Sequence, residues 1–127
     1  MPLYTVMIQA GVLDAVAKAQ LAARLTATHA EFSGVPPLWV HVIFQEYAAG
    51  NGFTAGGPAA AVALTLLIRS GRSAEYKREL LTRIWGSLQA ATGAADDQIV
   101  IAILEGPSSQ AMEMGKIMPD VIDPSTH

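Results

Sequence analysis

The chain has no cysteine among its 127 residues, so disulfides, thiolate nucleophiles and cysteine-based zinc sites are excluded, although the redox compartment stays open. An excess of positive charge is also missing. Lys and Arg number 8 against 11 Asp and Glu, for a formal net charge of −3, whereas a general nucleic-acid surface calls for clustered basic residues. No nucleic-acid partner is expected. Because no basic stretch precedes an apolar core at the start, no signal peptide is read there, and a cytoplasmic location is the expectation. The charge-free run 48–68 raises the question of a membrane span, but Gly50, Asn51, Gly52, Gly56, Gly57 and Pro58 crowd its first half. A buried strand in the second half fits better, and no membrane association is expected. His29, His41 and His127 lack the spacing of a ligand set, so neither a metal nor another cofactor is implied. Ser108-Ser109 lack the Gly-x-Ser-x-Gly setting of a nucleophile, and the glycines of 50–57 lack the Gly-Lys-Ser/Thr of a phosphate cradle.

What is present suits one domain, residues 1–127, with 51% hydrophobic residues to build its core. Leu3 to Ile8 reads as a short β-branched and aromatic strand. Leu13, Ala17, Leu21, Leu25, Thr28 and Phe32 then recur at helical spacing, with Asp14 at the start and Ser33-Gly34 at the end. Pro36-Pro37 predicts an extended connection into a second strand, 38–44. Residues 47–60 are expected to be a loop, 61–68 a buried strand, and Ser73 the cap of a second helix that carries Tyr76, Leu80, Ile84 and Leu88 and stops at Gly93. Residues 98–104 make a fourth strand. Ser108 to Lys116 is expected to form one short helix, and the chain from Pro119 onward an arm or frayed tail.

Strand, helix, strand thus occurs twice, with matching points about sixty residues apart. Gly11 corresponds to Gly71, Asp14 to Ser73 and Val40 to Val100. Repeat one spans about 2–58, repeat two about 59–119, and a tail 120–127. Each long crossover implies a parallel pair, so the expected fold is α/β (α+β): two fused β-α-β repeats in one four-stranded sheet with both helices on one face. The opposite face is then left bare, and two helices cannot cover all of Val6, Ile8, Val40, Val42, Leu64, Leu66, Ile99 and Ile101, so these are expected to bury against other copies. A homo-oligomer is therefore expected.

Pro2 carries the most distinctive chemistry. An internal proline nitrogen is an amide without a proton. An initiator Met before a small residue is normally trimmed, and the exposed ring nitrogen then becomes a secondary amine titrating near the α-amino range of roughly 7.7–8.0. Arg69 and Arg72, at a strand end and in the turn beyond it, present planar donor forks suited to a carboxylate.

Five stretches resemble the tautomerase superfamily, and within it the cis-3-chloroacrylic acid dehalogenase branch. They are Pro2 with Tyr4; Thr28-His29; Phe44-Gln45-Glu46 with Ala49-Gly50-Asn51 and Phe53; Arg69-Ser70-Gly71-Arg72-Ser73-Ala74; and Glu105-Gly106-Pro107 with Gln110, Glu113, Gly115 and Pro119. The resemblance implies the tautomerase fold, a homotrimer, and a small carboxylate as substrate. It implies Pro2 as catalytic acid or base, Arg69 and Arg72 as carboxylate binders, His29 as an auxiliary polar contact, and Glu113 as the activator of water. Ala102 stands where the dehalogenases have a tyrosine that assists that water. Keto–enol tautomerisation by Pro2 is accordingly the first expectation, dehalogenation or hydration with Glu113 the second, and a non-catalytic trimeric binding protein the third.

Overall fold

A computed structural model describes residues 2–121; the expected tail beyond residue 121 lies outside the described residues. Strand β1 (Leu3–Gln9) leads into helix α1 (Ala15–Ser33), and β2 (His41–Tyr47) follows. A hairpin of β3 (Phe53–Thr54) and β4 (Gly57–Pro58) then precedes β5 (Val62–Arg69). The second half repeats the plan with α2 (Ala74–Thr92), β6 (Ile99–Gly106) and a hairpin of β7 (Met112–Glu113) and β8 (Lys116–Ile117).

Local chemistry explains the helix ends. Asp14 accepts from the Ala17 amide at 2.8 Å and Ser73 from the Tyr76 amide at 3.1 Å, so each helix starts with a side-chain cap. Gly34 and Gly93 close them in the left-handed region, at φ of 73° and 68°. The left-handed positions echo one another across the halves: Gly34 and Gly93, Ala55 and Met114, and Gly56 and Gly115 are each 59 residues apart.

The sheet order is β2-β1-β5-β6. Pairs β1–β2 and β5–β6 are parallel, as the crossover helices demand, while β1 and β5 meet antiparallel at the centre. Both helices cover one face. Tyr4, Val6, Ile8, Leu64 and Leu66 bury against Leu21, Leu25, Leu80, Ile84 and Leu88 in one core. Among the described residues no helix is long and apolar enough to cross a membrane.

Four expectations are corrected. Val6, Ile8, Leu64, Leu66 and Ile99 are buried within this chain, and Val40, Val42 and Ile101 pack partly against the same core. The bare apolar surface is instead the alternate set on the other face, with Met7, Ile43, Val100 and Leu104 about half to two-thirds exposed. Strand side chains alternate between faces, so the two sets are mutually exclusive. Pro36-Pro37 leads not into an extended link but into a 3-10 turn over Pro37–Trp39, because proline is well tolerated at the first helical position. The loop 47–60 contains the β3–β4 hairpin. Residues 108–116 form no helix but a 3-10 turn, Ser108–Gln110, and then β7, so Glu113 sits on a strand.

Candidate active site

The antiparallel register at the sheet's centre builds the site. With Leu3 opposite Leu67 and Tyr4 opposite Leu66, the start of β1 lies beside the end of β5. Pro2 is thereby brought to Ile68 and Arg69 within one subunit. Pro2 is buried, and its carbonyl accepts from the His41 amide at 3.0 Å, which anchors the residue at the head of the sheet. The turn after β5 contributes Arg72, and the C-terminal turns of α1 contribute His29 and Ser33. Together with Val35, Tyr76 and Val121 these residues line one small cleft open to solvent.

The two arginines are held differently. Arg69 donates from Nη1 to the Pro119 carbonyl, which draws the end of the described chain over the cleft. Burial, with Arg72 nearby, lowers the Arg69 guanidinium from its ordinary value, while Glu113 and Asp120 act in the opposite direction. Arg72 stacks over the Tyr76 ring, 5.0 Å from its centroid, and its Nη2 lies 3.5 Å from the Ser33 carbonyl. Gly71 between them sits at φ of +120°, and a Cβ there would come within 3.1 Å of Val121. Two guanidinium groups thus face one small cleft, an arrangement suited to an anionic ligand.

His29 is buried on α1, with Nδ1 2.7 Å from the Tyr4 hydroxyl. Burial above all, and then neighbouring positive charge including that of Arg72, lowers its pKa from 6.5 to about 4. The imidazole is neutral at physiological pH. Burial raises Tyr4, so the phenol keeps its proton.

Glu113 lies apart from this group. It lines a neighbouring apolar cleft with Leu38, Trp39, His41 and Met114 rather than the cleft holding Pro2. His41 connects the two places through its bond to Pro2, and the Glu113 charge is felt at Arg69. Ala102 pairs with Thr65 between the exposed Val100 and Leu104, on the face away from the helices. The structure therefore gathers Pro2, His29, Arg69 and Arg72 around one cleft and sets Glu113 beside it. Sequence reasoning gave no part to Tyr76, Ser33, Val35 or Val121; the stacking of Arg72 on Tyr76 was discoverable only from their four-residue spacing across a helix cap.

The internal repeat makes a second cleft at the equivalent place, lined by Val12, Ala60, Val62, Thr92, Ala94 and Gln98. It contains no cation and no histidine. One fold thus offers two equivalent hollows, and only one carries charged groups.

Known proteins of similar sequence share this fold. A family model described as "Putative oxalocrotonate tautomerase enzyme" matches residues 1–126. The crystal structure of native Ps01740 is 34% identical, with a TM-score of 0.84, over 87% of this chain and 99% of that one. N1, a member of the cis-3-chloroacrylic acid dehalogenase family, is 31% identical, with a TM-score of 0.88, over 94% of this chain and 85% of that one. The symmetric trimer of Q0 fused 4-OT is 25% identical, with a TM-score of 0.83, over 91% and 94%. The search among curated proteins gives no match. By whole-length family match and by these relatives, the chain belongs to the tautomerase superfamily, in its cis-3-chloroacrylic acid dehalogenase-like branch.

Proposed function

We propose that this protein is a proline-dependent tautomerase of small 2-oxo or enol carboxylates. The observation that carries the reading is the antiparallel β1–β5 register, which sets Pro2 in one cleft with Arg69 and Arg72. Removal of Met1 turns the Pro2 nitrogen into a secondary amine, and two adjacent guanidinium charges disfavour its protonated form. Pro2 then acts as a base. It takes the hydroxyl proton of the enol as the C–O bond becomes a carbonyl, and returns a proton to C-3 as the carbon–carbon double bond is lost. Arg69 and Arg72 hold the substrate carboxylate and steady the negative charge that develops on the enol oxygen. His29 supplies a further polar contact.

A second reading, addition of water to an unsaturated acid with Glu113 activating the nucleophile, draws support from the Glu113 charge that reaches Arg69. Ala102 and the separate cleft of Glu113 weigh against it, because no hydroxyl side chain stands at position 102 to orient the water.

The subunits assemble as a homotrimer in this proposal. The face of the sheet left bare by the helices exposes Met7, Ile43, Val100 and Leu104, and the fused 4-OT relative is described as a symmetric trimer.

Ketonisation of the enol of phenylpyruvate, followed by absorbance, tests the activity. Intact mass establishes whether Met1 has been removed. Loss of at least about a hundredfold in rate is expected for Pro2→Ala, in the range of general acid–base contributions. A processed Pro2→Ala variant with the wild-type rate refutes the proposal.

A further inference from the structure

We propose that Tyr4 is a positioning residue whose hydroxyl donates to His29 Nδ1, locking His29 as the Nε2–H tautomer so that it offers the cleft a hydrogen-bond donor and not an acceptor. The consequence for turnover rests on the proposed function; the tautomer itself does not.

Tyr4 and His29 meet in the protein interior, where every polar hydrogen needs an acceptor. Tyr4 is fully buried and His29 is 3% exposed, with Oη and Nδ1 2.7 Å apart. Their rings stand perpendicular, at 89° with centroids 5.5 Å apart. Among the described residues the Tyr4 hydroxyl has no other hydrogen-bond partner. If Nδ1 carried the proton, the phenol hydrogen would be left in the core without an acceptor, and would bear the full desolvation penalty of an unmade hydrogen bond. If Tyr4 donates, both groups are satisfied and the imidazole proton resides on Nε2.

Electrostatics in the cleft works against this arrangement. Arg69 and Arg72 line the same hollow as His29, and two cations would by themselves favour an imidazole lone pair facing them. The bond from Tyr4 overrules that preference. A neutral N–H therefore points where a substrate oxygen gains negative charge, without a second base to compete with Pro2.

The second repeat supplies an internal control. The pairing of Leu3 with His41 recurs as that of Ala63 with Val100, which corrects the expected match of Val40 to Val100 by one residue, so Tyr4 corresponds to Leu64; α1 aligned with α2 matches His29 to Leu88. Leu64 and Leu88 are 1% and 0% exposed. The fold fills this position with two leucines where the adjoining cleft has no charge, so packing alone does not call for a tyrosine and a histidine. Burying a polar pair where apolar side chains suffice costs desolvation and is explained by what the pair presents to the cleft.

Long-range proton–nitrogen correlation spectra of the ¹⁵N-histidine-labelled full chain at neutral pH read the tautomer directly. The His29 signals are assigned by their loss in His29→Leu. The expected result is an unprotonated Nδ1 and a protonated Nε2 in the wild type, and a mixture of tautomers in Tyr4→Phe. In the ketonisation assay Tyr4→Phe should lower kcat about tenfold while KM stays within about twofold, the pattern of an interaction made in the transition state. A protonated Nδ1 in the wild type overturns the inference, as does a Tyr4→Phe spectrum identical to it. A scrambled tautomer with unchanged kcat removes the role in turnover. Wild-type protein that shows Nε2–H yet ketonises nothing refutes the proposed function and leaves the Tyr4 assignment standing.

Discussion

Acidification should destabilise this protein through one identifiable side chain. His29 titrates near 6.5 when unfolded and at about 4 in the folded chain, lowered by burial first and by neighbouring positive charge second. Between those values the unfolded state binds more protons than the folded one. Stability therefore falls as pH falls: the His29 contribution is whole above about 6.5 and gone below about 4. At roughly 1.4 kcal/mol per pH unit, the full interval is worth about 3 kcal/mol, and about 2 kcal/mol is already lost by pH 5. The reference is the Tyr4→Leu/His29→Leu double variant, which copies the pair found at Leu64 and Leu88 and leaves no orphaned hydroxyl. Urea midpoints at fixed protein concentration, read by circular dichroism from pH 7 to pH 4.5, measure both proteins. Carboxylates titrate in both and cancel in the difference. If the two stabilities decline in parallel, the buried neutral imidazole assigned to His29 is wrong.

The other expectations concern assembly and turns. Val100→Glu places a charge in the middle of the open sheet face, where Val100 is 66% exposed, and should yield a smaller species by size-exclusion chromatography with light scattering; an unchanged mass rules out assembly through that face. Gly52→Ala brings a Cβ within 2.6 Å of both the Ala59 carbonyl and the Tyr47 ring, so the thermal midpoint should fall, by about 1–3 kcal/mol in stability. Ala55→Gly relieves a left-handed residue at φ of 52° and should raise urea resistance by about 0.5–1 kcal/mol, with no change expected in ketonisation.

Which elements were legible follows from the range of the interactions that form them. Both long helices were readable because Leu21, Leu25, Leu80, Ile84 and Leu88 recur every three to four residues, and because Asp14, Ser73, Gly34 and Gly93 punctuate the ends. The hairpins were not. Each rests on two paired positions, Phe53 with Pro58 and Thr54 with Gly57, or Met112 with Ile117 and Glu113 with Lys116. Strands of two residues have no period to detect, and of the two left-handed residues in each turn Gly56 and Gly115 signal a turn while Ala55 and Met114 do not. The bare sheet face was expected in kind but assigned to the wrong residues, since a strand pattern shows two faces without saying which one the helices will take.

The site divides along the same line. Pro2, His29, Arg69, Arg72 and Glu113 could be named from residue chemistry and from likeness to a family, and the βαβ repeat could be counted along the chain. That Pro2 and Arg69 share a cleft within one subunit could not. It depends on β1 meeting β5 antiparallel with Leu3 opposite Leu67, a pairing between segments some sixty residues apart that no local pattern encodes. The partnership of Tyr4 with His29, and the separation of Glu113 from the cleft, arise in the same way. Period and caps are set by neighbours along the chain, and so they are written in it; a hydrogen bond across the core exists only once two distant segments have been packed against each other.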